Sequence, residues 1–164
     1  MGDVASVSVP LPGTIEATDP RDPVQVLGRF YRAFNDRNLA LMETVWYHSA
    51  ETSVVSPLVG LVRGWPAIRS AYEQGFRSAM HITTEFYDYT VHPFGDVFFA
   101  VGRERARSTT PSGSVEVVGQ ATNILRWSPD GSWKLVHHHV SVAGPQGLVR
   151  PPRGERAAVA PPHG

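Results

Sequence analysis

The apolar positions keep two different periods along the chain. In the first half they recur at helical spacing. Val24, Leu27, Tyr31 and Phe34 share one face of a helix that starts at Asp22-Pro23. Asp22 can cap it, proline suits the first helical position, and Gln25 completes an Asp-x-x-Gln box. Asn35-Asp36-Arg37-Asn38 breaks the pattern, and a short second helix follows from Leu39 to about Trp46. Residues 51–56 read as a strand ending at Pro57, with a short return strand over residues 60–63. Gly64-Trp65-Pro66 then opens a third helix, with Ile68, Tyr72 and Phe76 on one face.

Beyond His81 the period falls from 3.6 to 2. Residues 81–92 are β-branched and aromatic, Pro93-Phe94-Gly95-Asp96 turns the chain, and residues 97–108 form a second long strand. Thr110-Pro111-Ser112-Gly113 turns it again, residues 115–127 form a third, and Ser128-Pro129-Asp130-Gly131 is a hairpin signal before a last strand over 133–142. Helices followed by a run of strands predict an α+β domain: a curved antiparallel sheet wrapped around three helices, enclosing a cone-shaped pocket.

The ends lack such periodicity. Residues 1–20 read as a flexible arm and residues 144–164, rich in proline and glycine, as a disordered tail, leaving a domain over 21–143. Formal net charge is zero, so no basic field argues for nucleic acid. There are no cysteines, which removes disulfides, thiol nucleophiles and cysteine-type zinc sites, and fits a reducing compartment. No apolar run approaches the ~20 residues that cross a bilayer, and the N-terminus has no signal-peptide pattern, so the expected location is the cytoplasm. Lys134 is the only lysine among the basic residues, a bias that fits a GC-rich bacterial coding sequence.

Two stretches carry a resemblance. One is Gly60-Leu61-Val62-Arg63-Gly64 leading into an amphipathic helix. The other runs from Thr122 to Ser141: a strand ending in Trp127, an Asp130-Gly131 turn, then Trp133, His137, His139 and Ser141 at alternating positions. Both resemble the nuclear transport factor 2-like superfamily, and the hairpin is similar to its SnoaL-like subgroup, over about residues 21–143. The association domain of calcium/calmodulin-dependent kinases is similar too. The resemblance implies the ketosteroid isomerase-like fold and a homodimer. It leaves activity open, because the superfamily includes isomerases, cyclases, dehydratases, hydrolases, ligand-binding proteins and oligomerisation modules.

Register decides which residues face inward. Pairing Trp127 with Trp133 sets Leu125 opposite Leu135, Asn123 opposite His137 and Ala121 opposite His139. One face then carries both tryptophans, both leucines, Asn123, His137 and His139; His138 and Val140 take the other. A slip of one residue would invert this assignment. On the preceding long strand, Phe98, Ala100, Gly102 and Glu104 share a face, and the alternate face carries Arg103, Arg105 and Arg107, so Glu104 is turned inward.

The expected catalytic residues are therefore Glu104, His137 and His139. Two imidazoles about 7 Å apart on one face can serve as acid and base, or stand as hydrogen-bonded, partly buried polar residues. Glu104 beside apolar residues would have a raised pKa, or would pair with surface arginines. A His-x-His pair could instead hold a metal with Glu104 or His48, but no third ligand sits at a diagnostic spacing, so no metal and no cofactor are expected. Tyr31, Trp46, Asn123 and Trp133 are the expected substrate-binding residues. Two functions remain open at this point. One is cofactor-independent proton transfer on a small hydrophobic carbonyl compound: isomerisation, cyclisation or dehydration. The other is a non-catalytic ligand-binding or dimerisation module whose outer sheet face (Val97, Phe99, Val101, Ile124, Val136, Val140) meets a second copy.

Overall fold

A computed structural model describes residues 5–7, 19–110 and 113–142. In chain order the elements are β1 (Ala5–Val7), α1 (Pro23–Asn35), α2 (Leu39–Val45), β2 (Ser53–Ser56), β3 (Gly60–Arg63), α3 (Trp65–Arg77), β4 (His81–Phe94), β5 (Val97–Thr110), β6 (Gly113–Ser128) and β7 (Ser132–Val142). The strands form one seven-stranded sheet in the order β1-β4-β5-β6-β7-β2-β3. The expected α+β architecture is present, with two differences. The β2–β3 hairpin joins the meander through a parallel pairing of β2 with β7, so the sheet is mixed. Ala5–Val7, expected within a flexible arm, adds a strand against β4. Asp19 and Pro20, the end of that arm, are also described, and the Trp133 amide donates to the Pro20 carbonyl at 3.0 Å; its other residues and the proline-rich tail lie outside the described residues. Among the described residues, no helix is long and apolar enough to cross a membrane.

Local chemistry sets each helix in place. Asp22 Oδ1 accepts hydrogen bonds from the Val24 and Gln25 amides at 2.9 and 3.4 Å, and Gln25 Nε2 donates to Asp22 Oδ2 at 3.2 Å. These bonds satisfy amides that have no intrahelical acceptor in the first turn of α1. Asn38 does the same for α2 by accepting from the Leu41 amide at 2.9 Å. At the other end of α1, Asn35 donates to the Thr84 carbonyl at 2.9 Å and accepts from the Thr84 amide at 2.7 Å. That two-way bond ties α1 to β4 and holds Tyr31, one turn earlier, over the sheet.

The core lies between the helices and the concave sheet face. Leu27, Phe30, Tyr31 and Ala33 of α1, Met42 and Val45 of α2 and Ile68 of α3 meet Phe86, Ala100, Ala121, Leu125 and Leu135 of the sheet. Tyr31 stacks on Phe86, ring centroids 5.6 Å apart, and Phe86 on Tyr89 at 4.9 Å.

Two irregularities shape the sheet. In β4 the register shifts between Tyr87 and Thr90, so that Asp88 and Tyr89 together oppose Gly102 of β5. Asp88 takes φ 48°, and Tyr89 is turned into the core. Gly102 is required there: a Cβ would sit 2.5 Å from the Tyr89 Cβ and 2.8 Å from its Cα. In the last hairpin the register shifts between Ile124 and Leu125, because Val136 is an extra residue on β7. Trp127 pairs with Trp133 and Leu125 with Leu135, as the sequence predicts, but Ile124 pairs with His137, Asn123 with His138 and Ala121 with Val140.

Candidate functional site

The second bulge corrects the inner face. A single unpaired residue moves every later side chain on β7 to the opposite side of the sheet. His138, expected outside, is 5% exposed and lies in the core. His137 is half-buried and His139 exposed on the convex face, their ring centroids 6.0 Å apart. Val140, expected outside, packs against the core. The expected pairings of Asn123 with His137 and of Ala121 with His139 do not occur, and neither histidine stands on the face that carries Glu104. The sequence held one signal of this. Trp133 and Leu135 are apolar at odd positions, whereas Val136, Val140 and Val142 are apolar at even ones. A change of parity within one strand marks an inserted residue.

On the inner face four polar side chains meet between α1, β5, β6 and β7. Tyr31 Oη lies 3.0 Å from Glu104 Oε2, Asn123 Nδ2 donates to Tyr31 Oη at 3.2 Å, and His138 Nδ1 lies 2.8 Å from Asn123 Oδ1. His138 Nε2 is 3.7 Å from Glu104 Oε2, which closes the ring. The direction of each bond follows from its neighbours. The amide of Asn123 donates through Nδ2, so its Oδ1 accepts and His138 must carry its proton on Nδ1. The Tyr31 hydroxyl already accepts from Asn123, so its own proton goes to Glu104. The His138 Nε2 lone pair is left facing the carboxyl group.

Charge in this ring is governed by burial. Glu104 is 7% exposed, and loss of water pushes its pKa up to about 7, against a smaller lowering by the Tyr31 hydrogen bond. Burial is also the first cause of the fall of His138 to about 3, followed by His137 and His139. His138 is therefore neutral at neutral pH, and its 3.7 Å contact with Glu104 is not an ion pair. Burial and the adjacent Glu104 charge raise Tyr31 well above the ordinary phenol value, so Tyr31 keeps its proton. Within the ring one group titrates near neutral pH: Glu104. Its Oε2 is held by Tyr31, and its Oε1 makes no hydrogen bond among the described residues.

The other expected residues fall into two places. Trp46 is buried in the helical wall, edge-on to Phe30 at 6.2 Å, and Phe30 in turn packs on His138 at 4.9 Å. Among the described residues the Trp46 indole N–H has no hydrogen-bond partner; the Tyr72 hydroxyl is near enough to feel it but outside hydrogen-bond geometry. Trp133 lies at the hairpin end, half-buried against Phe98 at 6.2 Å and Trp127 at 5.5 Å, and makes none of the ring's hydrogen bonds. His48 stacks on Trp65 at 4.6 Å and bonds the Glu43 carbonyl, away from the ring. The alternative metal set of His137, His139 and Glu104 is split across the two faces of the sheet. Among the described residues, no group of three or more histidines and carboxylates is placed to hold a metal ion.

Comparison with known proteins bears on this arrangement. The SnoaL-like domain family matches residues 24–145. No curated protein matches the chain. Among solved structures, a nuclear transport factor 2-like superfamily protein from Salmonella enterica serovar Typhimurium superposes with a TM-score of 0.68 at 19% identity, over 80% of this chain and 96% of that one. A candidate dehydratase of the same family from Streptomyces avermitilis gives 0.65 at 24% identity, over 72% and 91%. The CaMKII hub of S. rosetta gives 0.60 at 21% identity, over 73% and 93%. At these identities the likeness is one of fold.

Proposed function

We propose, from the premise that this chain belongs to the SnoaL-like domain family, that it catalyses cofactor-independent proton transfer on a small hydrophobic carbonyl compound, with Glu104 as the base. The carrying observation is the setting of Glu104: a buried carboxyl with Oε2 fixed by Tyr31 and Oε1 unpartnered among the described residues, its pKa pushed up to about 7 by that burial. A base tuned to neutral pH suits abstraction of a proton beside a carbonyl. Asn123 and His138 make no contact with a reacting atom in this scheme. They are positioning residues: they fix the Tyr31 hydroxyl so that it keeps donating its hydrogen bond to Glu104. The Trp46 N–H is the buried donor left over for the oxygen of a substrate, where negative charge develops as the proton leaves. The surrounding core is aromatic, which suits an apolar compound. His137 and His139 take no part.

The test is hydrogen exchange in D2O. The purified protein is incubated with a panel of cyclic and aryl ketones, and deuterium gain at the α-carbon is followed by NMR. Wild-type protein is expected to exchange at least one ketone, with a rate that rises through about pH 7 as Glu104 ionises. Glu104→Gln should slow exchange by roughly 10²–10⁴-fold, the usual contribution of a positioned base. No exchange on any ketone, or wild-type rates from Glu104→Gln, would retire the reading.

A second reading concerns assembly and has its own observation. The convex sheet face carries an apolar strip in which Phe94 is 65% and Val101 42% exposed, and Phe99 stacks with Phe94 and His92 at 5.7 and 4.5 Å. This reading pairs two copies of the chain through that strip as a homodimer. One structural relative is named a hub, which supports self-association.

A further inference from the structure

The convex side also holds a cleft that has no part in the buried ring. After α2 the chain runs beside β7 and the Tyr47 amide donates to the Leu135 carbonyl at 2.9 Å. It then swings away and returns only where Ser53 pairs with His137. The detour leaves β7 uncovered at Val136, the extra residue of the bulge. The result is a cleft of about 230 Å³ with Val136 among its walls, lined also by Tyr47, Ser49, Glu51, Ser53, Arg126 and His137.

Three side chains of this cleft, those of Tyr47, Arg126 and Glu51, make no hydrogen bond to another cleft side chain among the described residues. The Tyr47 hydroxyl has no hydrogen-bond partner among the described residues. Among the described residues Arg126 has only a loose contact, 4.0 Å, with Asp96, and its side chain is half exposed. Ser53 Oγ holds His137 Nδ1 at 2.8 Å, so the ring is fixed and its Nε2 is without a partner among the described residues. A guanidinium presents a planar fork that matches a carboxylate. Glu51 lines the same cleft and makes no ion pair among the described residues. It disfavours a multiply charged anion and favours a ligand with a positive or hydrogen-bond-donating end.

We propose that this cleft is a second binding site, for a small carboxylate-bearing molecule whose other end carries an ammonium group. The carboxylate sits on Arg126 and the Tyr47 hydroxyl, the ammonium group on Glu51, and His137 borders the bound molecule. The site is separate from Glu104, which lies on the opposite face of the sheet, and it does not depend on the proton-transfer reading.

The test uses the full chain, 15N-labelled, titrated with β-alanine, acetate and inorganic phosphate. β-Alanine is expected to shift the Ser53, Val136 and His137 resonances saturably, acetate more weakly and phosphate least. Arg126→Gln should weaken β-alanine binding at least tenfold, and Glu51→Gln should reduce it to the level of acetate. Both side chains are exposed, so neither change threatens the fold. Absence of saturable shifts with β-alanine, equal binding by Arg126→Gln, or phosphate binding as tightly as β-alanine would overturn the proposal.

Discussion

Glu104 and His138 bring opposite pH dependences into one buried cluster. Glu104 titrates near 4.5 unfolded and about 7 folded, so between these values the folded chain holds a proton that the unfolded chain has lost. Its contribution to stability is complete below pH 4.5 and falls as pH rises to 7. His138 titrates near 6.5 unfolded and about 3 folded, so between those values the unfolded chain holds the extra proton, and stability rises with pH. Where the windows overlap, from about pH 4.5 to 6.5, the two slopes cancel. Wild-type protein should therefore show little change in unfolding free energy across that range in urea titrations, as far as these two groups are concerned. Glu104→Gln should uncover a rise of about 1.4 kcal/mol per pH unit, and His138→Gln a fall of similar size. Like slopes in both variants would show that the two groups are not perturbed in opposite directions. At this scale the sequence was informative about Glu104, Tyr31 and Asn123. Three arginines on alternate positions of β5 are costly to bury, which turns Glu104 inward, and helical spacing puts Tyr31 on the core face of α1. It misplaced His138 because an imidazole is compatible with either face, and the three consecutive histidines differ only in register.

The two bulges decide what the elements can present. In β7, Val136 turns His138 inward and opens the convex side where the cleft lies. In β4, Asp88 and Tyr89 oppose Gly102, and Tyr89 reaches the Phe86 ring that backs Tyr31. Gly102→Ala is expected to destabilise the fold by about 1–3 kcal/mol, the usual cost of overpacking, because the new methyl would collide with the Tyr89 backbone rather than with a flexible side-chain end. Thermal unfolding followed by circular dichroism checks this, and an unchanged midpoint would show that the strands can separate there at no cost. Helices were legible from caps and period: Asp22, Pro23 and Gln25 stand where the pattern puts them. The long strands were legible from alternation and turn residues. The bulges were not, since an inserted residue changes pairing without breaking the run of strand-forming side chains. The parallel β2–β7 contact was also hidden, because it joins residues about 84 positions apart through no local signal.

At the scale of the whole molecule, the resemblance carried by the last hairpin and the Gly60–Gly64 turn matched the family that the chain belongs to, while the activity and the partner remain proposals resting on the site and on the convex face. That face belongs to the meander, and its strip from Phe94 to Val101 is a partly exposed apolar surface that can close on a second copy. Val101→Glu would bury a carboxylate in such a contact and should convert dimers to monomers by light scattering, with the circular dichroism spectrum retained. A mass unchanged from wild type would remove this strip from the interface. One titration decides whether Glu104 is a base tuned to neutral pH. With 13C-labelled glutamate, the side-chain carboxyl of Glu104, assigned by its loss in Glu104→Gln, can be followed by NMR from pH 3 to 9. A midpoint near 7 is expected. A midpoint near 4.5, in the range of an ordinary carboxyl, would contradict it: Glu104 would then be a charged structural group, not a base tuned to neutral pH.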